Sequence, residues 1–299
     1  MKGTIVIGLS VFLLLGLFSA PLLADETMER IEKTGTIRVG WREGSIPFAF
    51  IDPKSGKHVG FSVDMTYFLV DLLSEHFGKK IKIQPFTVTV KTRIPLVANR
   101  TVDVEMGSTT HTQKRDETVD FSLIFFFSET TFLVPKDSDI RTIEDLNGKR
   151  IGAARGSTNL AAIRSKVAAG VFKPKSILEV ETHPQGFLAL KGRKIDAYST
   201  DRSLLEGLRM KAPNPGNWRT VDFAIAYEPY GYMTREGNSD IRDFVNNTII
   251  WAIKTGKFFE FYDKWMGPKG VVPIPMSQAY RTYLDMICWP QEKDWWKKR

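Results

Sequence analysis

Strand-like and helix-like hydrophobic patterns alternate along this chain, and that alternation limits its fold more than any single motif does. Apolar residues recur at every second position in Thr36–Trp41 and Val102–Met106, as expected of strands with one buried face. Ser62–Phe77 carries an apolar stripe with a helical period, Lys80–Phe86 is a short strand pattern, and Arg93–Ala98 is helical. Strands that alternate with helices predict an α/β fold with a mostly parallel sheet.

A second alternating series follows residue 132. Strands are predicted over 150–153, 176–181 and 195–199, and helices after the turn at 155–158 and over 185–191. Three further helices are predicted over 241–254, 258–265 and 277–287. Open α/β sheets bind ligands outside the carboxyl ends of their strands. Two such units facing each other would form a cleft, which is the commonest place for a small-molecule site.

The N-terminus has the pattern of a secretion signal. Lys2 supplies a positive charge, Ile5–Phe18 is almost continuously apolar, and Ala24 ends the segment with a small residue. We therefore assign residues 1–24 to a signal peptide, with an uncleaved membrane anchor as the alternative. Since no cysteine follows the apolar run, a lipid-attached form is not expected. The mature protein is predicted to be soluble and exported.

Cysteine content and charge argue against a disulfide-stabilised domain and against a nucleic-acid-binding protein. The single cysteine, Cys288, cannot form an internal disulfide, so an exported chain must rely on a hydrophobic core. The net charge is +8, but the 42 basic residues are spread among 34 acidic ones, and Lys297–Arg299 is the single basic run. This distribution indicates a solvated basic surface, and no nucleic-acid partner is expected.

Residues 107–115 place hydroxyls and a guanidinium close together in sequence. Ser108, Thr109 and Thr110 follow a predicted strand, and Arg115 lies one or two helical turns further on. We expect the strand to end in a hydroxyl-rich turn whose N–H groups, hydroxyls and guanidinium would suit a carboxylate, such as that of a free amino acid. The alternative is an ordinary capped helix start with a solvated arginine.

Several short motifs resemble, in order and spacing, the periplasmic solute-binding proteins of polar amino-acid ABC importers, the bacterial extracellular solute-binding family 3. The matching stretches are Val39–Glu43, Gly60–Met65, Arg93–Leu96, Gly107–Thr110 with Arg115, Asp120–Ser122, Asp145–Lys149 and Asp263–Trp265. Each motif is weak alone, and their common order is the specific signal. The resemblance covers nearly all of the mature chain and is strongest to the glutamate/aspartate-binding branch.

The resemblance implies a two-lobe periplasmic binding protein fold of type II, with the second lobe inserted into the first. Residues 25–129 and 230–299 would form the first lobe, and residues 130–229 the second. Two crossover strands near 128–131 and 227–232 would form the hinge, and the ligand cleft would lie between the lobes. Composition alone does not predict this discontinuity.

The same resemblance assigns the polar groups of the cleft. Arg115 would grip the α-carboxylate of the ligand, with donors from Ser108 and Thr110, because a planar guanidinium can bind a carboxylate in two parallel bonds. Thr158, in the turn that opens a second-lobe helix, would add N–H donors. Asp201 would pair with the α-ammonium. Taken alone, Thr158 and Asp201 could be ordinary helix-capping residues.

Arg42, Arg93 and His183 match the donors that the glutamate-type branch places around a distal carboxylate. An unpaired buried carboxylate would be strongly unfavourable, so Arg42 and Arg93 fit an acidic ligand; a surface or helix-start arginine and a structural histidine in a loop are the alternatives. Val90 departs from the branch, which often has serine at that position. Trp41 and Phe48 could line the cleft or belong to the core.

The predicted function is capture of an acidic amino acid by hinge closure, in the periplasm, as the substrate-binding component of an ABC importer. A monomer is expected, with the membrane permease and ATPase subunits as partners. Alternatives are another polar amino-acid ligand, a ligand-sensing module, or a dehydratase-type enzyme on the same fold. The sequence lacks nucleophile and phosphate-loop motifs, Glu43 is the one acidic candidate near the cleft, and the four histidines have no metal-ligand spacing. No enzyme activity, cofactor or metal is expected.

Overall fold

The computed structural model describes residues 26–292 and 294–297. The predicted signal peptide, residues 1–24, lies outside the described residues, as do Lys298 and Arg299 of the basic run. Within the described ranges, no helix is both long enough and apolar enough to cross a membrane.

The described chain forms a layered α/β structure. Its strands are β1 (Thr36–Trp41), β2 (Gly44–Ser45), β3 (Ala49–Ile51), β4 (His58–Val59), β5 (Lys82–Thr87), β6 (Val104–Thr110), β7 (Val119–Phe121), β8 (Phe126–Pro135), β9 (Arg150–Ala154), β10 (Ser176–Val180), β11 (Ala197–Asp201), β12 (Trp218–Thr220) and β13 (Ala226–Arg235). Its α-helices are α1 (Glu26–Thr34), α2 (Phe61–His76), α3 (Arg93–Ala98), α4 (Gln113–Asp116), α5 (Thr158–Ala168), α6 (His183–Lys191), α7 (Arg202–Met210), α8 (Ser239–Lys254), α9 (Lys257–Met266) and α10 (Gln278–Met286). Short 3-10 helices cover Glu144–Leu146 and Pro215–Asn217.

A ten-stranded mixed sheet runs through the molecule in the order β10-β9-β11-β8-β13-β6-β1-β5, with β12 beside β8 and β7 beside β13. Pairing is parallel on both outer sides, where β1 lies between β5 and β6 and β9 lies between β10 and β11. It is antiparallel in the centre, where β8 and β13 meet. The predicted α/β class is therefore confirmed, with an antiparallel centre that the mostly parallel prediction did not include.

β8 and β13 connect two units that have separate hydrophobic cores. The two strands pair from Phe126 opposite Tyr230 to Thr130 opposite Ala226. The largest core draws its residues almost entirely from positions 31–126 and 230–296. Two smaller cores use positions 132–225. We call these regions the first and second units; the chain leaves the first unit through β8 and returns to it through β13.

Residues 107–110 do not form the turn that the sequence predicted. They are the last four residues of β6, which pairs with β13 at the centre of the sheet, and every residue of β6 is buried. Polar side chains are tolerated there because their hydroxyls find partners inside the protein, which the hydrophobic pattern cannot reveal. The helix containing Arg115 follows, and the Thr112 hydroxyl caps it by accepting from the backbone N–H of Arg115.

His183 also lies in a different element from the one predicted. It is the first residue of α6, whereas the sequence indicated a loop before the helix. Thr182 caps this helix in a capping box with Gln185, and Pro184 occupies the first turn, where its missing N–H is not needed. The cap fixes the start of the helix and so holds His183 at the boundary between the two units.

Candidate functional site

The eight residues predicted to bind a ligand come from seven separate elements or strand ends, and they meet where the two units face each other. Seven of them are buried, and Thr158 is half-buried. The set comprises Arg42, Arg93, Ser108, Thr110, Arg115, Thr158, His183 and Asp201. The roles assigned to them from the sequence stay predictions, and their positions can be described directly.

Arg42 and Arg93 converge on Ser108. Arg42 Nη2 donates to the Ser108 carbonyl at 3.0 Å and also to its hydroxyl. Arg93 Nη1 lies 3.4 Å from the same carbonyl and donates to Thr109 Oγ1 at 2.6 Å. Among the described residues, the buried Nε groups of both arginines have no hydrogen-bond partner. Two buried guanidiniums therefore keep donors for a further acceptor.

Positive charge is crowded at this site. Burial lowers the pKa of Arg93 well below its usual value, and the nearby guanidiniums of Arg42 and Arg115 lower it further. Glu105, also fully buried, opposes that shift; one of its oxygens accepts from Thr109 at 2.7 Å. Burial and the neighbouring positive charges both disfavour the charged form of Arg93, and an anionic ligand beside it would favour that form.

His183 is neutral and serves as an acceptor. Burial, together with the charges of Arg42 and Arg93, lowers its pKa well below the usual value. Arg42 Nη1 lies 3.1 Å from Nε2, which must accept, so Nδ1 carries the proton and donates to the Tyr198 hydroxyl at 2.9 Å. In this arrangement His183 orients Arg42, and its predicted direct donation to a ligand remains a prediction.

Arg115 reaches from one unit to the other. Its Nη1 donates to the Thr110 carbonyl at 2.7 Å, and its Nη2 lies 3.4 Å from the carbonyl of Gly156, just before the second unit's α5. Burial lowers its pKa, while the carboxylates of Glu228 and Asp201 oppose that shift. As predicted from the sequence, the turn that includes Ser157 opens a helix: the Ser157 hydroxyl accepts from Leu160 at its start.

Asp201 ends β11 and faces a buried polar network. It occupies the N-cap position of α7, but its side chain makes no capping bond. Its oxygens accept from Asn159 Nδ2 at 2.6 Å and from the Tyr230 hydroxyl. Burial, with the nearby charge of Glu228, raises the pKa of Asp201 to about 7. The capping interpretation therefore does not describe the side chain, whose oxygens are bound by Asn159 and Tyr230 instead.

Glu228 is a central residue that the sequence did not single out. It lies on β13, is completely buried, and accepts from the hydroxyls of Thr110 at 2.5 Å and Thr158 at 2.7 Å, and from that of Thr130. A glutamate two positions before the predicted strand at Tyr230 was the one available signal. Its three partners belong to β6, α5 and β8, so only the folded chain assembles them.

A pocket of about 730 Å³ opens at the mouth of the site. Arg42, Val90 and His183 lie on its wall, together with Glu43 and other residues of both units. Trp41 and Phe48 belong to the first unit's core, which is one of the two positions that the sequence allowed for them. Among the described residues, no group of histidine, cysteine and acidic side chains is arranged to hold a metal ion.

The fold and the site define a class of bacterial binding proteins. Residues 37–268 match the model of the bacterial extracellular solute-binding proteins, family 3, and the chain belongs to this family. The family predicted from the motifs is therefore confirmed.

Three individual proteins show how similar this chain is to known binding proteins. An L-glutamate/L-aspartate-binding protein of Pseudomonas aeruginosa is 33% identical over 92% of this chain and 94% of its own length. A glutamine-binding protein of Geobacillus stearothermophilus is 35% identical over 74% of this chain and 81% of its own. An ancestral arginine-binding protein bound to glutamine superposes with a TM-score of 0.69 at 32% identity, covering 78% of this chain and 98% of that one.

A fourth comparison concerns the enzyme alternative. An ancestral amino acid-binding protein, described as a precursor of cyclohexadienyl dehydratase, superposes with a TM-score of 0.66 at 28% identity, covering 80% of this chain and 98% of that one. It is itself named a binding protein, as are the curated relatives.

Proposed function

We propose that this protein captures an acidic amino acid, such as glutamate or aspartate, as the substrate-binding component of an ABC importer. The observation that carries the proposal is the convergence of three buried guanidiniums, from Arg42, Arg93 and Arg115, with Asp201 at one boundary between the units. Three clustered arginines favour a ligand with two carboxylates, and one aspartate favours an ammonium.

The ligand would lie along this row of charges. Its α-carboxylate would pair with Arg115, with backbone N–H donors from the chain near Ser108, Thr110 and Thr158. Its ammonium would face Asp201. Its distal carboxylate would take the unpaired Nε donors of Arg42 and Arg93, at the wall of the pocket that includes Val90 and His183.

Closure would couple binding to transport. The two units already touch across the site, because Arg42 donates to His183 and Arg115 Nη2 lies 3.4 Å from the Gly156 carbonyl. We infer that the crossing strands act as the hinge, with lobes at 25–129 plus 230–299 and at 130–229. The contacts between units exist only when the cleft is shut, so a ligand that bridges them shifts the population towards the closed form.

Membership of the family supports a proposal for the cellular location and the partners. Removal of residues 1–24 would release a monomer into the periplasm, and a membrane permease with its ATPase would recognise the closed form. The glutamine-binding relative supports another polar amino acid as the second candidate ligand. Neither a sensing role nor a dehydratase activity has a residue in this site that favours it: Glu43 is exposed and accepts from Thr87.

Isothermal titration calorimetry with L-glutamate, L-aspartate, L-glutamine and L-arginine tests the proposal. One lost bond between a buried guanidinium and a carboxylate is worth about 1.5–3 kcal/mol, so glutamate should bind about 10- to 150-fold more tightly than glutamine. Arg93→Gln should erase that preference. Arg164→Gln, on an exposed side chain of α5, is the matched control and should retain it. A wild-type preference for glutamine or arginine would contradict the acidic ligand.

A nuclear magnetic resonance assay of the same mixtures tests the enzyme alternative. The amino acids should remain chemically unchanged after prolonged incubation with the protein. Conversion of any of them at a rate proportional to protein concentration would favour the dehydratase-type activity instead.

A further inference from the structure

The hydroxyl hydrogens around Glu228 all have a defined direction. Each threonine hydroxyl has a single hydrogen to donate and two lone pairs to offer. Glu228, when ionised, can only accept. The short contacts from Thr110 Oγ1 at 2.5 Å and Thr158 Oγ1 at 2.7 Å therefore commit both hydrogens to Glu228. The contact between the two hydroxyl oxygens is longer, at 3.4 Å, and does not compete.

The third hydroxyl confirms the direction of the network. Thr130 donates to Glu228 and accepts from Asn159 Nδ2 at 2.8 Å. The same amide nitrogen donates to Asp201 at 2.6 Å. All three threonine hydroxyls therefore donate to Glu228, and the Asn159 amide donates to Asp201 and to the Thr130 hydroxyl.

This polarity decides what the site can offer a ligand. With their hydrogens directed at Glu228, the oxygens of Thr110 and Thr158 have only lone pairs for the cleft. They are then acceptors, and Asp201 is a third acceptor on the same network. A primary ammonium has three N–H donors and accepts nothing, so it matches this set, whereas a carbonyl oxygen at the same position has no hydrogen to donate and does not.

We propose that Glu228 is a specificity-determining positioning residue, which selects an amino group over an oxo group or hydrogen by holding the Thr110 and Thr158 hydroxyls as acceptors. The inference rests on the proposed function, because it concerns the α-ammonium of the captured amino acid. Glu228 itself acts through the two threonines.

The test compares L-glutamate with glutarate, which has both carboxylates but no amino group. Glu228→Gln removes the negative charge and turns one of the two acceptor oxygens into an NH₂ donor, so the Thr110 and Thr158 hydrogens are no longer held by a carboxylate. L-Glutamate should lose about 10- to 150-fold in affinity, the effect of a hydrogen bond to a charged group. Glutarate, measured by competition at millimolar concentration, should lose little, so the ratio of the two affinities should collapse.

Two further variants distinguish an effect of hydroxyl direction on the affinity ratio from effects of lost charge or of misfolding. Glu105→Gln removes another fully buried carboxylate close to the arginines but does not contact Thr110 or Thr158, and it should keep the ratio. Thr158→Val keeps the shape and removes the hydroxyl, so it should weaken L-glutamate selectively if that oxygen accepts from the ammonium. It also provides the test if Glu228→Gln fails to fold, as judged by circular dichroism.

The outcomes are distinguishable. A parallel loss of L-glutamate and glutarate in Glu228→Gln or in Thr158→Val would overturn the proposal, because it would mean that the hydroxyls donate to a carboxylate. The same ratio in the wild type and both variants would overturn it too. A wild-type protein that binds no acidic amino acid would instead overturn the proposed function, and this inference with it.

Discussion

Closure of the cleft brings a helix of one unit against the backbone of the other, which allows a direct test of the closed arrangement. Gly207 lies in α7 of the second unit, and a Cβ built on it would be 2.3 Å from the carbonyl oxygen of Ile46 in the first unit. Contacts of real Cβ atoms essentially never fall below 3.0 Å, so Gly207→Ala requires the two elements to separate by about 0.7 Å or more. Since the opposing atom belongs to the backbone, no side-chain rotation can relieve the clash.

The magnitude follows from overpacking. Inserting one carbon into a filled contact costs about 1–3 kcal/mol, and here the penalty applies to the closed form alone. The affinity for the amino acid should therefore fall about 5- to 150-fold. The free energy of unfolding of the ligand-free protein should rise or stay the same, because alanine is favoured over glycine in a helix by about 1 kcal/mol.

Calorimetry and small-angle X-ray scattering together make the measurement. Gly207→Ala should bind more weakly and should show a larger radius of gyration at saturating ligand than the wild type. Gly216→Ala, in the same unit but with no atom within 4 Å of the added carbon, should match the wild type in both. Wild-type affinity with a wild-type radius in Gly207→Ala would refute the close approach of the two units. Destabilisation without loss of affinity would place the clash within one unit.

Four other predictions concern single groups of the site. Arg115→Ala should weaken amino-acid binding by about 3–5 kcal/mol, or two to three and a half decades in Kd by calorimetry, because it leaves a buried carboxylate unpaired; a loss below tenfold would contradict the assignment. Because the pKa of Asp201 is raised to about 7, a proton must leave before it pairs with an ammonium, so affinity should fall as the pH drops below 7, by up to tenfold per unit, and a flat profile from pH 8 to 5.5 would contradict it. The same raised pKa contributes stability to the empty protein that is complete below pH 3.8 and lost as the pH rises through 7; Asp201→Asn should flatten that part of a denaturation profile, and an unchanged slope would count against it. Val90→Ser should tighten binding of an acidic ligand by about 0.5–1.5 kcal/mol if the pocket wall at residue 90 faces the distal carboxylate, and equal affinity would place that carboxylate elsewhere.

Local periodicity was a good guide to the elements outside the centre of the sheet. The helix Arg93–Ala98 and the strand Thr36–Trp41 were predicted with the bounds that the structure has. Both have one face on a core, so their apolar residues recur with the period of the element. The positions of Arg42 and Arg93 at the ends of these elements follow directly, although what the arginines face was inferred from the family resemblance.

The centre of the sheet could not be predicted in this way. Ser108, Thr109 and Thr110 look like a turn because three hydroxyls follow one another, yet they continue a buried strand. Their partners include Glu228, 118 residues after Thr110. Pro229 interrupts the strand pattern next to Glu228, so the predicted strand began only at Tyr230. Polar pairing over such a sequence distance leaves no local period, and it appears only when the elements are placed together.

The same side chains take part in ligand recognition and in closure of the cleft, and this decides which ligands can close it. In the closed arrangement, Thr158 already donates to Glu228, and Arg42 to His183. The Thr158 hydroxyl and Arg42 Nη1 therefore have acceptors without a ligand. By contrast, within the described part of the chain, the Nε groups of Arg42 and Arg93 stay buried and unpaired. Each unpaired buried donor opposes closure by about 1–3 kcal/mol, and more where the donor is charged. A distal carboxylate can pair with both Nε groups as a charged acceptor. An amide oxygen is neutral and therefore a weaker acceptor, and an apolar side chain can pair with neither. Selection for an acidic ligand therefore arises from the free energy of closing rather than from the first contact with the open cleft.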